Sequence, residues 1–282
     1  MKLVTCTIDN QVRLGRVDAG MVTPFDLPGG MLGLIQSGTN GLETARGAGG
    51  PSFPLDNISL AEPLNNPSKI IAIGLNYADH ASEGKVTAPE RPLTFAKFPS
   101  CLVGPGAEVH WSPWLTGKVD YEAELVVVIG RRAFQVPEHA ALDYVFGYTC
   151  GNDISARDIQ FSDGQWVRAK SLDTFGPLGP WIVTADDIPN PQTLDIRMRL
   201  NGQMMQESST AHMIFSVAHL IHFLSQAITL LPGDLIYSGT PSGVGNFRTP
   251  PMFLRDGDEM QVEISRIGVL VNHCRTLAEE SK

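Results

Sequence analysis

The sequence predicts a strand-rich α+β fold, and three observations support this interpretation. Glycine and proline are frequent, with 28 and 20 among 282 residues, which favours many turns between short elements over a helical bundle. Between these turns lie short apolar or alternating runs that are typical of strands. One longer apolar segment, residues 213–231, carries polar residues every three or four positions and indicates a mostly buried helix.

The predicted strands follow one another along the whole chain. A turn at Asp9 and Asn10 joins the first two, and Asn201 with Gly202 is a strong hairpin signal after a later one. The strand-like runs are 2–7, 11–17, 69–73, 117–130, 195–200, 235–237, 259–264 and 268–272, with shorter pieces in 93–109.

Two regions of different size are predicted. Residues 1–65 are expected to form a small N-terminal domain and linker, and residues 66–282 the main domain. The glycine-rich stretch 38–50 is expected to be loosely structured, and the prolines of 51–67 predict an extended linker. The N-terminal region shows no residues with evident chemistry.

The composition is that of a globular protein and excludes several functions. Hydrophobic residues make up 43% of the chain, and the net charge of -9 argues against affinity for nucleic acid or an anionic membrane. The four cysteines form no C-x-x-C pair, which argues against a zinc knuckle or a disulfide scaffold. The N-terminal residues lack the apolar core of a signal peptide, so we expect a cytoplasmic protein.

The acidic segment 117–130 is the first candidate site. Alternate residues of a strand share a face, so Asp120, Glu122 and Glu124 are expected to point the same way. Residues 125–129 are apolar and predicted to be buried, and repulsion among carboxylates grows when water is excluded. A hard divalent cation with oxygen ligands would compensate these charges. A solvated edge strand would explain the same pattern equally well.

Other candidates are weaker when each is taken alone. A helical turn would place His80 and Glu83 on one face, where the carboxylate raises the basicity that a general base needs. Lys170 lies in a largely uncharged stretch, and residues 239–245 form a glycine-rich loop that can approach a ligand closely. An exposed turn, a lysine reaching the surface and an ordinary loop are the alternative interpretations.

Seven sequence blocks between Ile73 and Asn272 match one family in content and in order. The blocks are IGLNYADHASE, TFAKFPSCLVGPG, DYEAELVVVIG, GYTCGNDISARDIQ, QWVRAKSLDTFGPLGPW, LSQAITLLPGDLIYSGTPSGVG and FLRDGDEMQVEISRIGVLVN. Through them the chain resembles the fumarylacetoacetate hydrolase superfamily. The resemblance implies a roll of mixed β-sheets with a few helices, a catalytic domain over residues 66–282 and a homodimer. Residues 1–65 resemble the variable N-terminal region of longer members.

The resemblance implies a metal site. Glu122, Glu124 and Asp153 would be the ligands, with Asp120 and the pair Arg157 and Asp158 behind them. An all-carboxylate site suits Mg²⁺ or Mn²⁺, and Ca²⁺ is expected as an occupant in a crystal.

The resemblance also implies catalytic and substrate-binding residues. His80 and Glu83 would form a dyad on a lid, residues 76–86, that is mobile without ligand. Lys170 would stabilise oxyanion charge. The substrate contacts would be Gln160, Lys170, Gly239 and Thr240.

The expected reaction is cleavage of a C–C bond in a 2,4-dioxo acid, such as an acylpyruvate, by water that His80 activates. The alternative is decarboxylation or isomerisation of a 2-oxo or 2-hydroxydienoic diacid. Leu75 replaces a basic residue of some members, which favours an uncharged distal end unless Arg91 or Lys97 supplies that charge. A binding protein without activity would be expected to lack a ligand or the dyad, and all six side chains are present.

Overall fold

The computed structural model describes residues 1–84 and 87–278 and confirms the strand-rich α+β class. The strands are β1 Lys2–Ile8, β2 Gln11–Asp18, β3 Met21–Phe25, β4 Phe53–Pro54, β5 Ser59–Ala61, β6 Ile70–Gly74, β7 Leu93–Lys97, β8 Leu102–Val103, β9 Glu108–Trp111, β10 Val119–Asp120, β11 Ala123–Ile129, β12 Val145–Asn152, β13 Ser155–Ala156, β14 Gly176–Thr184, β15 Asp195–Leu200, β16 Gln203–Ser209, β17 Leu235–Tyr237, β18 Glu259–Ile264 and β19 Gly268–Thr276. The helices are α1 Gly30–Gln36, α2 Thr39–Arg46, α3 Ala78–Glu83, α4 Arg157–Asp163, α5 Val167–Lys170 and α6 Val217–Ala227.

The strands form three sheets. The largest has 12 strands, ordered β4-β3-β2-β1-β14-β12-β11-β17-β6-β7, with β5 added to β1 and β8 to β14. A second sheet of five strands is ordered β16-β15-β18-β19-β9, and β10 pairs only with β13. Strand pairing in the large sheet is mixed, because β17 runs parallel to β6 and most other neighbours are antiparallel.

Strand β11 lies in the middle of the large sheet and is buried on both faces. Leu125 and Val127 belong to the core shared with the five-stranded sheet, while Val126 and Val128 pack in a second core with helix α1. This explains the continuous apolar run, since a strand covered on both faces needs no polar side. The predicted alternative of a solvated edge strand is therefore wrong.

The N-terminal region agrees with the prediction in part. The hairpin of β1 and β2 is confirmed, with Asp9 and Asn10 both at positive φ in the turn. The stretch predicted to be loose contains helix α2, which packs on α1 because Gly41 lets the two backbones meet; a Cβ there would lie 2.3 Å from the carbonyl oxygen of Leu34. The predicted linker contains β5, which pairs with β1.

Strand β1 also pairs with β14 of the main region, so hydrogen bonding crosses the predicted boundary at residue 65. The division into two domains stays a prediction. The predicted helix over 213–231 is shorter than expected, because Ser216 caps its start and Ile228 is already extended. No helix among the described residues is long and apolar enough to cross a membrane.

Candidate metal centre and active site

The acidic segment does not form one continuous strand. Strand β10 ends at Asp120 and β11 begins at Ala123, so the two-residue alternation breaks between them. Strand β10 pairs with β13, whereas β11 joins the large sheet. As a result Asp120 turns toward a loop, and only Glu122 and Glu124 of this segment belong to the group of acids described next.

Three buried carboxylates meet where β11 begins and β12 ends. One oxygen from each of Glu122, Glu124 and Asp153 lies within 4.8 Å of the other two. The register that pairs Ala123 with Asn152 brings the two strand ends together, and the Asp153 amide donates to the Glu122 carbonyl at 2.9 Å. The side chain of Asn152 accepts from the Glu122 amide at 2.9 Å, which fixes the residue that precedes the strand.

Three cationic side chains surround these carboxylates. The Lys170 ammonium donates to Glu122 Oε2 at 2.6 Å and to Asp153 Oδ2 at 2.7 Å. Lys97 donates to the other oxygen of Asp153 at 2.6 Å and to two backbone carbonyls. Arg157 Nη2 lies 2.7 Å from Glu122 Oε1 but lacks hydrogen-bond alignment.

The cations compensate Glu122 but not Glu124. Burial alone would raise the pKa of Glu122, but Lys170 and Arg157 outweigh it and lower that pKa to about 2. Burial, followed by repulsion from Asp153 and Glu122, raises the pKa of Glu124 well above its usual range. The one hydrogen bond to the Glu124 side chain among the described residues comes from the Gly239 amide, at 2.8 Å.

This donor set fits a hard divalent cation. The three carboxylates supply only oxygen atoms and are close enough to share one ion, and the anionic form of Glu124 lacks a compensating cation among the described residues. Mg²⁺ and Mn²⁺ prefer oxygen ligands of this kind. A site with only three protein ligands leaves coordination positions for water and substrate. The identity of the metal stays a prediction.

Of the residues predicted to lie behind the ligands, Asp120 and Arg157 do so, and Asp158 does not. Asp120 does contact Arg157, whose Nε donates to it at 2.8 Å. Asp158 faces away from the site, because Thr116 Oγ1 at 2.6 Å and the Gly117 amide at 3.1 Å occupy its carboxylate. The predicted partnership of Arg157 with Asp158 is therefore wrong.

Helix α3 carries the predicted dyad over the site. His80 is buried and lines the cavity, and its Nδ1 lies 3.5 Å from Glu83 Oε2, without hydrogen-bond alignment. Glu83 instead accepts from the Gly243 amide at 3.0 and 3.1 Å. Asp79 accepts from the hydroxyls of Ser208 and Ser242 at 3.1 and 3.3 Å, which holds the helix down. Residues 85 and 86 of the predicted lid lie outside the described residues, and its mobility stays a prediction.

Three of the predicted substrate contacts, Gln160, Lys170 and Thr240, line the cavity, whereas Gly239 contacts a predicted metal ligand instead. Gln160 and Thr240 line the cavity, and each is held by a neighbour: Arg157 Nη1 donates to Gln160 at 3.0 Å. Gln206 donates to Thr240 Oγ1 at 2.8 Å. The Gly239 amide is already bonded to Glu124, so it positions a predicted ligand. Contact of these residues with substrate stays a prediction.

Glu122 and Glu124 line a cavity of about 140 Å³, to which four aromatic side chains also contribute: Phe95, Phe161, Trp166 and Phe247. Lys170 lies 5.1 Å from the centre of the Phe95 ring, which in turn packs edge-on against Trp166. Phe247 packs against His80 with ring centres 5.8 Å apart. Leu75 also faces the cavity, with φ at 55°, a conformation that is uncommon outside glycine.

Sequence reasoning missed three supporting residues and misplaced two cations. Lys97, Asn152 and Gln206 hold Asp153, Glu122 and Thr240 in place. Lys97 and Asn152 lie in two of the matched sequence blocks but were not assigned this role, and Gln206 lies in none of the blocks. The proposal that Lys97 or Arg91 supplies a distal charge is not supported. Lys97 is fully buried against Asp153, and Arg91 is exposed and does not line the described cavity.

Comparisons with known proteins identify relatives of the chain. The family described as fumarylacetoacetate (FAA) hydrolase C-terminal matches residues 69–275. A mitochondrial oxaloacetate tautomerase of Rattus norvegicus is 42% identical over 262 residues, which are 92% of this chain and 83% of that protein.

Two solved structures are similar over nearly the whole chain. A fumarylacetoacetate hydrolase from Exiguobacterium antarcticum is 35% identical with a TM-score of 0.88, covering 98% of this chain and 100% of that one. A maleylpyruvate hydrolase from Sphingobium sp. SYK-6 is 31% identical with a TM-score of 0.83 and the same coverage. The chain belongs to the fumarylacetoacetate hydrolase family of enzymes.

Proposed function

We propose that the protein is a metal-dependent enzyme that interconverts the keto and enol forms of a small 2-oxo diacid, with oxaloacetate as the leading substrate. The proposal rests on the buried carboxylate triad beside Lys170, of which Glu122 and Glu124 line a small cavity. The similarity to a protein named oxaloacetate tautomerase supports enolisation over hydrolysis of a C–C bond. The alternative predicted from the sequence is thus better supported than the main prediction.

The size of the cavity supports a short substrate. Its volume is about 140 Å³, close to the roughly 150 Å³ of an apolar cavity that accommodates benzene. Pockets for larger ligands usually measure about 300 to 1,000 Å³. A four-carbon diacid therefore matches the space above the carboxylates better than a long acylpyruvate does.

The chemistry follows from the groups around the cavity. A divalent cation held by Glu122, Glu124 and Asp153 would polarise the 2-oxo group and stabilise the charge of the enolate. Keto–enol exchange moves one proton from C3 to the oxygen on C2, and no carbon–carbon bond breaks. Lys170 bonds two carboxylates, which leaves one of its three N–H groups for a substrate oxygen. We propose that His80 removes the proton from C3 and returns it, because His80 lines the cavity and imidazole is a common general base.

Hydrolysis of a 2,4-dioxo acid is the second candidate, and the proximity of His80 to Glu83 favours it. A carboxylate that orients an imidazole can make it a base for water. The similarity to a maleylpyruvate hydrolase supports this candidate as well. The contact of Glu83 with the Gly243 amide opposes it, because the carboxylate is turned away from hydrogen-bond alignment with His80.

The test is a set of product assays with Mg²⁺ or Mn²⁺ and with chelator. We expect the metal-loaded protein to accelerate the decay of the enol absorbance of oxaloacetate without forming pyruvate. Formation of pyruvate and CO₂ would instead indicate a decarboxylase, and cleavage of acetylpyruvate to acetate and pyruvate a hydrolase. A loaded protein that leaves both substrates unchanged would contradict the proposal.

Replacing His80 tests its role against a matched histidine. His80→Ala should slow the proton transfer by about 10²- to 10⁴-fold while metal binding is retained. The exposed His139 is the control, and His139→Ala should keep full activity. Full activity of His80→Ala would rule out the assignment.

A further inference from the structure

Asp120 is a buried carboxylate whose two oxygens accept hydrogen bonds from separate parts of the chain. It is fully buried, and its Oδ1 accepts from the amides of Tyr121 and Gly245 at 2.9 and 2.8 Å. Its Oδ2 accepts from the Asn246 amide at 2.9 Å and from Arg157 Nε at 2.8 Å. It does not belong to the described group of acids that could share a cation.

On one side Asp120 is connected to the metal centre through a single guanidinium. Arg157 lies between Asp120 and Glu122, at 2.8 Å from the first and 2.7 Å from the second. Its third nitrogen, Nη1, donates to Gln160 on the cavity wall at 3.0 Å. A change at Asp120 therefore alters the orientation of a group that contacts both a predicted ligand and a predicted substrate-binding residue.

On the other side Asp120 fixes the loop of residues 243–247, called here the anchor loop. Two consecutive amides of this loop point at the carboxylate, and Gly245 has no room for a side chain; a Cβ would lie 1.8 Å from the Met252 carbonyl oxygen and 2.8 Å from Asp120 Oδ1. The Tyr121 hydroxyl donates to the Gly243 carbonyl at 3.1 Å, and Arg248 donates to the same carbonyl.

Helix α3 rests on this anchor loop. The Gly243 amide donates to both oxygens of Glu83, and the Phe247 ring packs against His80 at 5.8 Å between ring centres. The two residues of the predicted dyad are thus each positioned by one end of a loop whose middle is held by Asp120.

We propose that Asp120 is a positioning residue that links the metal centre to helix α3, through Arg157 on one side and the anchor loop on the other. It does not touch the substrate. Its carboxylate fixes the positions of His80 and Glu83 relative to the metal ligands, so helix α3 and the metal centre keep one relative geometry. This inference rests on the proposed function for its kinetic test, and a second test is independent of activity.

The kinetic test is a double-mutant cycle of Asp120→Asn and His80→Ala. Asparagine keeps the shape of aspartate but places an NH₂ group opposite donors that need an acceptor. We therefore expect kcat to fall about 10- to 100-fold, while KM and metal affinity stay within about threefold of the wild-type values. If Asp120 acts through His80, the same change in the His80→Ala background should alter kcat by less than about twofold. Equal effects in both backgrounds would overturn the proposal.

Asp234 provides a matched control. It is equally buried, accepts from Ser68, Lys69 and the Leu231 amide, and lies at the start of β17 without contact with α3 or the anchor loop. Asp234→Asn should change stability without a change in kcat that depends on His80. Tyr121→Phe removes only one hydrogen bond to the anchor loop. If Asp120→Asn does not fold, Tyr121→Phe takes its place in the double-mutant cycle with His80→Ala.

Hydrogen exchange tests the same link without substrate or metal. In Asp120→Asn or Tyr121→Phe, amides of residues 76–84 and 243–247 should exchange faster together, whereas Asp234→Asn should leave both segments unchanged. Unchanged exchange over 76–84 in both variants would contradict the link, whatever reaction the enzyme catalyses. Faster exchange with no turnover of any substrate would retain the link and reject the proposed function.

Discussion

Asp120 and Glu124 are buried acids of the same short segment, yet their surroundings differ sharply. Asp120 accepts three backbone amides and a guanidinium, whereas Glu124 accepts one amide and faces two other carboxylates. A buried carboxylate is stable as an anion only when donors or cations replace its water. Asp120 is therefore stabilised as an anion within the fold, whereas Glu124 accepts too few hydrogen bonds from the described residues to stabilise its anion and would gain that stabilisation from a bound cation.

The largest expected difference between the two acids concerns metal and turnover. Glu124→Gln should lose bound Mg²⁺ or Mn²⁺ and reduce kcat/KM by about 10³-fold or more, because removing one group that stabilises developing charge commonly costs about 10²- to 10³-fold. Asp120→Asn should retain the metal. Metal content by mass spectrometry of the native protein and initial rates measure both. A Glu124→Gln protein with normal metal content would sink the ligand assignment.

The second difference concerns the stability of the metal-free protein, with opposite signs. Asp120→Asn removes one of the two buried carboxylates that contact Arg157 and should lower the free energy of unfolding by about 3 to 5 kcal/mol. Glu124→Gln removes repulsion from Asp153 and Glu122 and should leave that free energy unchanged or raise it. Urea unfolding in the presence of chelator measures both, and a large loss in Glu124→Gln would break the comparison.

The third difference appears when metal is added. A cation that binds only the folded wild-type protein should raise its free energy of unfolding by about 2.7 kcal/mol at a concentration of 100 times Kd. Asp120→Asn should gain nearly as much, and Glu124→Gln little. Thermal unfolding with a series of Mn²⁺ concentrations tests this. Equal gains in all three proteins would show that the ion binds elsewhere.

The smallest effect is a proton released on metal binding. The raised pKa of Glu124 favours its protonated form in the metal-free protein, and a cation that binds there must displace that proton. As pH falls below that raised pKa, the apparent metal affinity should fall about tenfold per pH unit, and it should level off above it. Calorimetry in buffers of different ionisation enthalpy should give release of about one proton. Release of none, with a pH-independent affinity, would contradict the uncompensated state of Glu124.

Much of the fold was predictable because it depends on local patterns. The hairpin at Asp9 and Asn10, the apolar strand β11 and the turn at Gly202 each carry their signal in adjacent residues. Helix α2 was missed because glycine disfavours helix formation, so a glycine-rich stretch predicts a loop. Here Gly41 instead allows α2 to pack closely against α1.

Local patterns predicted only the residue types of the candidate site, and the grouping of Glu122 and Glu124 with Asp153 came from the family resemblance. The sequence pattern placed Asp120, Glu122 and Glu124 on one face, but it could not show the break before Ala123 that separates the first from the others. The approach of Asp153 depends on the register of β11 against β12, and the role of Lys97 on contacts 56 and 73 positions away. Such long-range pairings have no local signal.

The central claim is that one divalent cation lies between Glu122, Glu124 and Asp153. A crystal grown with MnCl₂ and measured at the manganese absorption edge tests it most directly. We expect a strong anomalous peak within bonding distance of all three carboxylates in the wild type, and its loss in Glu124→Gln. A peak only at another position, or none under conditions in which Mn²⁺ supports turnover, would contradict it.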